Sequence, residues 1–294
     1  MTRDPDCPSV RITNYESQLT PLKFFCLFIN FMAYLQCLKL EIRMISVIVN
    51  AKNPPAQSIQ ERNVYKTAGC ECEYVLFDGS QNTNLAAVYD HAVTIAKGDI
   101  LVFIRDDVYF MKMNWGQILE LKFANDPWLG VVGVAGTQYL FPNKPSLTAA
   151  GRPFIKGRVV HHLQNGDFFA VVYSQENGDF DVVAVDGVFM AVKRELFTKC
   201  QFDFNNFTSE HFYDLDFCMQ ARHTNRILVS TDIVIKRRSQ AVFDKEWNAQ
   251  GTVFLEKWAD ELPAASIDAV PDPSNFQSTV CVDLKGKAPI ETIC

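Results

Sequence analysis

Four acidic stations punctuate the chain: Asp78, the doublet Asp106-Asp107, Asp186, and Asp214 with Asp216. The doublet ends the apolar run Ile100 to Ile104, after Arg105, and Val108, Tyr109 and Phe110 return at once to apolar character. Carboxylates seldom lie against a core unless they are paired or hold a cation. Gathered without cysteine or a clear histidine partner, they suit a hard divalent cation, Mg²⁺ or Mn²⁺. An acidic cleft can hold a diphosphate only with a cation between them, and that cation would also stabilise a leaving diphosphate as a Lewis acid.

Bringing these acids together requires a scaffold, and the apolar patterning predicts one. Ile45 to Val49 reads as a short β-branched strand closed by Asn50 and the breaker Asn53-Pro54-Pro55. A helix follows from about Ala56 to Ala68, ending at Gly69. Tyr74 to Phe77 is the next strand, ending in Asp78-Gly79-Ser80. Asn84 caps a helix whose apolar face is Leu85, Val88, Tyr89, Ala92 and Ala96. The strand Ile100 to Ile104, a helix from about Asn114 to Phe123 and the run Leu129 to Ala135 come next. Such alternation implies a mostly parallel sheet flanked by helices. Ligands then bind beyond the carboxyl ends of the strands, so Asn50, Asp78 and Asp106-Asp107 should open on one rim.

The second half is less regular. Residues 137 to 181, with His161-His162, read as loops or a hairpin, and the two histidines as loop polarity. Val182 to Val192 is a strand broken by Asp186-Gly187. Tyr213 to His223 is a helix, Arg226 to Ile235 a last strand, and residues 246 to 259 a last helix. Asp216 suits a structural role at the helix start. Trp115, Trp247 and Trp258 are read as core, with one open to service as a sugar platform.

Net charge is −6 and nine cysteines are scattered with no CxxC pair. The charge leaves no electrostatic footprint for nucleic acid, and the thiols read as reduced, in a cytoplasmic protein. Phe24 to Leu38 is uncharged, but fifteen helical residues reach only about 22 Å against roughly 30 Å of bilayer hydrocarbon. We read residues 1–43 as an N-terminal extension or a helix in peripheral contact with a membrane, residues 44–262 as the functional domain, and residues 263–294 as a loose tail.

The ordered set DGS (78–80), AKGDILVFIRDDV (96–108), VDGVFMAVKRELF (185–197) and SEHFYDLDFCMQAR (209–222) resembles a family-2 nucleotide-sugar glycosyltransferase of the GT-A fold. More narrowly, it resembles the streptomycin-biosynthesis-type branch. The likeness runs from about residue 44 to 260 and implies a Rossmann-like α/β domain. It implies that Asp78 hydrogen-bonds the nucleotide base, that Asp107, with Asp106 beside it, holds the metal on the diphosphate, and that Asp214 is the general base on the acceptor hydroxyl. Asn50 would line the donor site, and Asp186 the donor-sugar or acceptor side. The partners implied are a nucleotide-diphospho-sugar donor and a carbohydrate or glycoconjugate acceptor, with inversion at the anomeric carbon.

Two departures matter. Lys236-Arg237-Arg238-Ser239 stands where the family usually places a metal-binding histidine, and Arg105 stands where the branch often has histidine. Fixed cations can bind a diphosphate directly, so Lys236 and Arg237 are expected to share that task, with less need for metal. A non-catalytic relative that binds a nucleotide-sugar or glycan is the competing reading. A dinucleotide oxidoreductase is excluded, because Asn50 to Pro55 after the first strand offers no GxGxxG.

Overall fold

The computed structural model describes residues 44–80, 84–239, 242–272 and 279–285. The apolar stretch at 24–38 lies outside them. Among the described residues no helix is long and apolar enough to cross a membrane.

In chain order the first half supplies β1 (Ile45–Ala51), α1 (Ser58–Ala68), β2 (Cys72–Asp78), α2 (Leu85–Ile95), β3 (Ile100–Arg105), β4 (Val108–Phe110), α3 (Trp115–Asn125) and β5 (Leu129–Gly133). The middle supplies β6 (Ala135–Thr137), β7 (Tyr139–Leu140), β8 (Ile155–His162), β9 (Phe168–Val172), β10 (Asp179–Asp181), β11 (Ala184–Val185) and β12 (Phe189–Lys193). The end supplies α4 (Tyr213–Ala221), β13 (Arg226–Ser230), β14 (Ile235–Arg237), α5 (Lys245–Lys257), β15 (Ala264–Ala265) and β16 (Val280–Asp283).

The central sheet runs β10-β13-β5-β12-β3-β1-β2. Strands β2, β1, β3, β5 and β13 share one direction; β12 and β10 oppose them. Alternation along each strand feeds two cores. In β3, Leu101 and Phe103 join the core containing α2 and α4 residues, while Ile100, Val102 and Ile104 join the one containing α1 and α3 residues. β12 divides likewise, with Met190 and Val192 on the first side and Phe189 and Ala191 on the second. That two-sided burial is why these strands read as unbroken apolar runs.

A second sheet, β11-β6-β8-β14-β4, carries β9 on β8 and β16 on β9. The stretch read as loops or a hairpin therefore contains the β8–β9 hairpin, and His161 and His162 lie in β8 rather than in a loop. Two pieces of the segment read as a loose tail are paired: β15 against β7 and β16 against β9.

Four of the chain's passages between the two sheets build the site: β3 to β4 through Asp106-Asp107, β5 to β6 through Val134, β11 to β12 through Asp186 to Val188, and β13 to β14 through residues 231–234. The register puts Asn50 opposite Arg105, Ala51 opposite Asp78 and Phe189 opposite Ile104. All four crossings thus lie at the carboxyl ends of the parallel strands. The run Arg226 to Ile235, read as one strand, is divided because it makes such a crossing.

Helix α1 fixes the acidic crossing. The Gln60 amide donates to Arg105 O at 2.8 Å and Val108 O at 2.7 Å, and its oxygen accepts from the Tyr74 hydroxyl at 2.6 Å. Asn63 binds both backbone groups of Phe110, accepting from its N–H at 2.7 Å and donating to its carbonyl at 3.0 Å. Where β3 leaves one sheet for another its backbone lacks ladder partners, and two buried amides replace them.

Candidate active site

Asp214 opens helix α4, after Phe212 in a left-handed conformation at φ 63°. Its Oδ2 accepts the Gly187 N–H at 2.6 Å and its Oδ1 the Leu215 N–H at 2.9 Å. The neighbouring Tyr213 hydroxyl donates to Gly187 O at 3.1 Å. The Asp186-Gly187 crossing and the start of α4 are thereby clamped together. Glycine is required there: a Cβ on residue 187 would stand 2.1 Å from the Tyr213 hydroxyl and 3.0 Å from Asp214 Oδ2. Burial, then the charge of Asp186, pushes the Asp214 carboxyl up to about 7, against the pull of the backbone N–H groups. A carboxylate that titrates near neutrality is fitted to accept a proton at physiological pH.

Asp186 lines the same cleft and accepts the Val188 N–H at 2.8 Å. Asp216 points inward instead. It is fully buried, bonded by Trp258 at 2.9 Å and Gln220 at 2.9 Å, and paired with Lys257 at 2.7 Å. It holds α4 against α5, a structural role but not the one at the helix start that the sequence suggested.

Asp107 is tied to the segment after β14. Its Oδ2 accepts from Ser239 N at 2.8 Å, Ser239 Oγ at 2.5 Å and Arg238 N at 3.2 Å, with Arg237 Nε 3.8 Å away. Burial works against its charge, but Arg237 and the Ser239 bonds outweigh it and hold the carboxyl below its ordinary value. Its Oδ1 is buried with no hydrogen-bond partner. His161 supports the same segment: its Nδ1 lies 3.1 Å from Ser239 O, and its ring stacks on Phe169. Burial and the Arg237 charge lower the His161 pKa, favouring the neutral ring, with Nδ1–H as the donor to the carbonyl.

The remaining expected residues divide. Asn50 and Asp106 line a smaller cleft, where Asp106 Oδ2 accepts the Lys52 N–H at 3.1 Å. Arg237 lines the larger cleft. Lys236 lines neither: it is buried, with its ammonium 5.7 Å from the Tyr109 ring centre. Asp78 lines neither as well. It is exposed and accepts the Ser80 N–H at 2.9 Å in an Asx turn, and the Ser80 side chain, then this backbone bond, lowers its pKa, while Gly79 beside it lines the smaller cleft. The three acids at 78, 107 and 214 therefore do not share one hollow. Asp214 stands in the wall of the larger cleft, Asp107 backs that wall through Ser239 and Arg237, and Asp78 lies outside it.

The larger cleft, about 330 Å³, runs from Asp186 and Asp214 to an apolar side made by Phe243 and Trp247. Trp247 packs on Phe212 and Phe243 with ring centres 5.3 Å and 5.1 Å away. The smaller cleft is about 40 Å³. Lys52, Arg105 and Glu210 line both. Glu210 pairs directly with Arg105 and lies 3.6 Å from Lys52. Only Arg105 of these drew attention in the sequence. A guanidinium closing a buried strand needs an anionic partner, but nothing in the linear order names Glu210.

Two groups bear on a metal. Asp107 Oδ1 is an orphaned buried acceptor of the kind a cation satisfies, and Asp106 is its neighbour in the chain. His211, Asp244 and Glu246 bring their ligating atoms within 4.8 Å of one another, with His211 in the cleft wall. Both sets are oxygen-rich and fit a hard divalent ion.

Residues 44–258 match the model of a family described as glycosyltransferase-like. The chain belongs to that family. Its mixed sheet with flanking helices is the GT-A arrangement expected from the motif order. No curated protein matches. Among solved structures it is similar to GalNAc-T7 crystallised with UDP, GalNAc and Mn²⁺, at 11% identity and a TM-score of 0.47, over 76% of this chain and 50% of that one. It is also similar to the mannosyltransferase PcManGT of Pyrobaculum calidifontis in complex with GDP-Man and Mn²⁺ (13% identity, TM-score 0.36, covering 77% and 67%). A third is A197 from STIV, at 16% identity and a TM-score of 0.35, covering 69% and 97%. Against GalNAc-T7 the chain thus spans half the partner's length.

Proposed function

We propose that this member of the glycosyltransferase-like family moves a sugar from a nucleotide-diphosphate donor to a carbohydrate or glycoconjugate hydroxyl, with inversion. The observation that carries the reading is Asp214: a carboxylate in the cleft wall, fixed by the Gly187 N–H at 2.6 Å and titrating near 7. In the mechanism Asp214 takes the proton of the acceptor hydroxyl as that oxygen bonds to the anomeric carbon and the sugar–diphosphate bond breaks on the opposite face. Asp186, in the same wall, meets the donor-sugar hydroxyls. Phe243 and Trp247 offer apolar faces to the sugar rings. The nucleoside end of the donor faces the rim that holds Asn50 and Gly79, and Arg237 meets the diphosphate from the larger cleft. Asp78 would reach the base only if its Asx turn opened, so its part is the weakest of those the motif order implies.

A divalent cation, Mg²⁺ or Mn²⁺, would offset the diphosphate charge and assist its departure, with Asp107, through Oδ1, and Asp106 as the residues to hold it. The narrower likeness to the streptomycin-biosynthesis-type branch rests on motif order alone. One observation favours a non-catalytic donor-binding relative: Asp107 already has Arg237 and Ser239 as partners. Thermal shifts against nucleotide diphosphates and nucleotide-sugars with Mg²⁺ or Mn²⁺ identify the donor, since a ligand of the folded state raises the melting temperature. Donor hydrolysis or transfer by the parent, lost in Asp214→Asn with donor binding kept, supports the transferase. Binding with no turnover in either protein supports the relative.

A further inference from the structure

One of the residues shared by the two clefts carries a charge that does not suit a donor. A donor whose nucleoside end faces Asn50 and Gly79 and whose sugar lies in the larger cleft carries its diphosphate across the boundary formed by Lys52, Arg105 and Glu210. Two of these are cations suited to phosphate oxygens, and the guanidinium is the planar fork that binds them two at a time. The third is a carboxylate paired with both cations. Glu210 is partly exposed, at 34% of its side chain, and Lys52 at 70%, whereas Arg105 is 24% exposed. Arg105 is thus the most buried of the three, and Glu210, the member shared by both pairs, is more open to solvent than Arg105.

We infer that Glu210 is an internal stand-in for the donor diphosphate: it neutralises Arg105 and Lys52 in the free protein and is displaced from them when the donor binds. The inference rests on the nucleotide-sugar reading above. Removing a partner from a mostly buried charge is costly because the charge is left uncompensated, so the free protein needs an anion at this place and the donor brings its own. Glu210 lies four residues before Asp214, with Phe212 in a left-handed conformation between them. Release of Glu210 therefore acts on the segment that leads into the base. This makes Glu210 a positioning and specificity residue that sets the threshold for donor binding.

The test is the Glu210→Gln protein, which keeps the side-chain shape and loses the charge, compared with the parent by calorimetry and thermal unfolding. The probes are inorganic pyrophosphate, UDP and GDP, each with chelator and with Mn²⁺. The expected result is a lower melting temperature for Glu210→Gln without ligand, a gap that closes as pyrophosphate or nucleotide is added, and a diphosphate Kd in chelator at least tenfold lower than the parent's. Arg105→Lys, which keeps the charge but not the fork, should weaken the same binding by a similar factor. Equal ligand-induced shifts in parent and Glu210→Gln would overturn the inference, since a merely structural pair gives that result. So would a Glu210→Gln protein that loses only Mn²⁺-dependent binding, for Glu210 would then be a metal ligand. Tight pyrophosphate binding by Glu210→Gln with no effect of any nucleotide or nucleotide-sugar on either protein would sustain the stand-in and reject the transferase reading, so the two fail separately.

Discussion

Asp214 and Gly187 act as one unit. The Gly187 N–H orients the carboxylate, and the Tyr213 hydroxyl bonds the same residue's carbonyl. Asp214→Asn keeps the shape but cannot accept the acceptor's proton, so kcat should fall about 10²- to 10⁴-fold while the donor Kd holds. The parent's rate should rise with pH through about 7, where Asp214 loses its proton, and that limb should vanish from the residual activity of Asp214→Asn. A pH profile of kcat in both proteins checks this. Gly187→Ala forces the Tyr213 ring away from a Cβ 2.1 Å from its hydroxyl. Overpacking of this kind costs about 1–3 kcal/mol, visible as a lower denaturant midpoint, and kcat should drop more than donor affinity because Asp214 moves with the ring.

At the level of elements, the site is made where strands change sheets. Helix α1 does the holding for Asp106 and Asp107, through Gln60 and Asn63. Gln60→Leu removes the donor to two carbonyls and strands the Tyr74 hydroxyl. Buried groups left unpaired cost about 1–3 kcal/mol each, so the melting temperature should fall clearly, and donor binding should weaken because the acidic turn loosens. A variant with unchanged stability and a weakened donor would mean that Gln60 touches ligand instead. The apolar strands and the caps were legible in the linear order. Asn84 does cap α2, accepting the Ala87 N–H at 3.0 Å, and Gly69 ends α1 at φ 75°. The second sheet was not legible, because most of its strands are short and take their partners from distant segments: β14 lies between β4 and β8. His161 was misjudged for the same reason, since its neighbours Phe169 and Ser239 arrive only with the fold.

For the whole molecule, the raised Asp214 pKa has a consequence for stability. The folded state holds this proton up to about pH 7, whereas an unperturbed carboxyl releases it near 3.8. Between those values the unfolded chain carries fewer protons at this site, so the contribution of Asp214 to stability is full at low pH and is lost as pH rises through 7. Melting temperatures from pH 4 to pH 8 should fall more steeply for the parent than for Asp214→Asn. Parallel curves would show that the carboxyl titrates normally in the folded protein. The two cores sit on opposite faces of one sheet, so a loss on either side should be felt in a single unfolding transition.

The linear order was enough to establish a strand–helix scaffold, an acidic rim at the strand ends, and the family to which such a motif order belongs. These follow from period, capping chemistry and residue type, all local properties. Tertiary structure alone decided which acids share a cleft. It buried Asp216 as a brace, left Asp78 in an exposed turn, tied Asp107 to Ser239 and brought Glu210 to Arg105. The reason is that the partners of Asp216, Arg105 and Asp107 lie 42, 105 and 132 residues away in the chain, and no local pattern encodes which segments will meet.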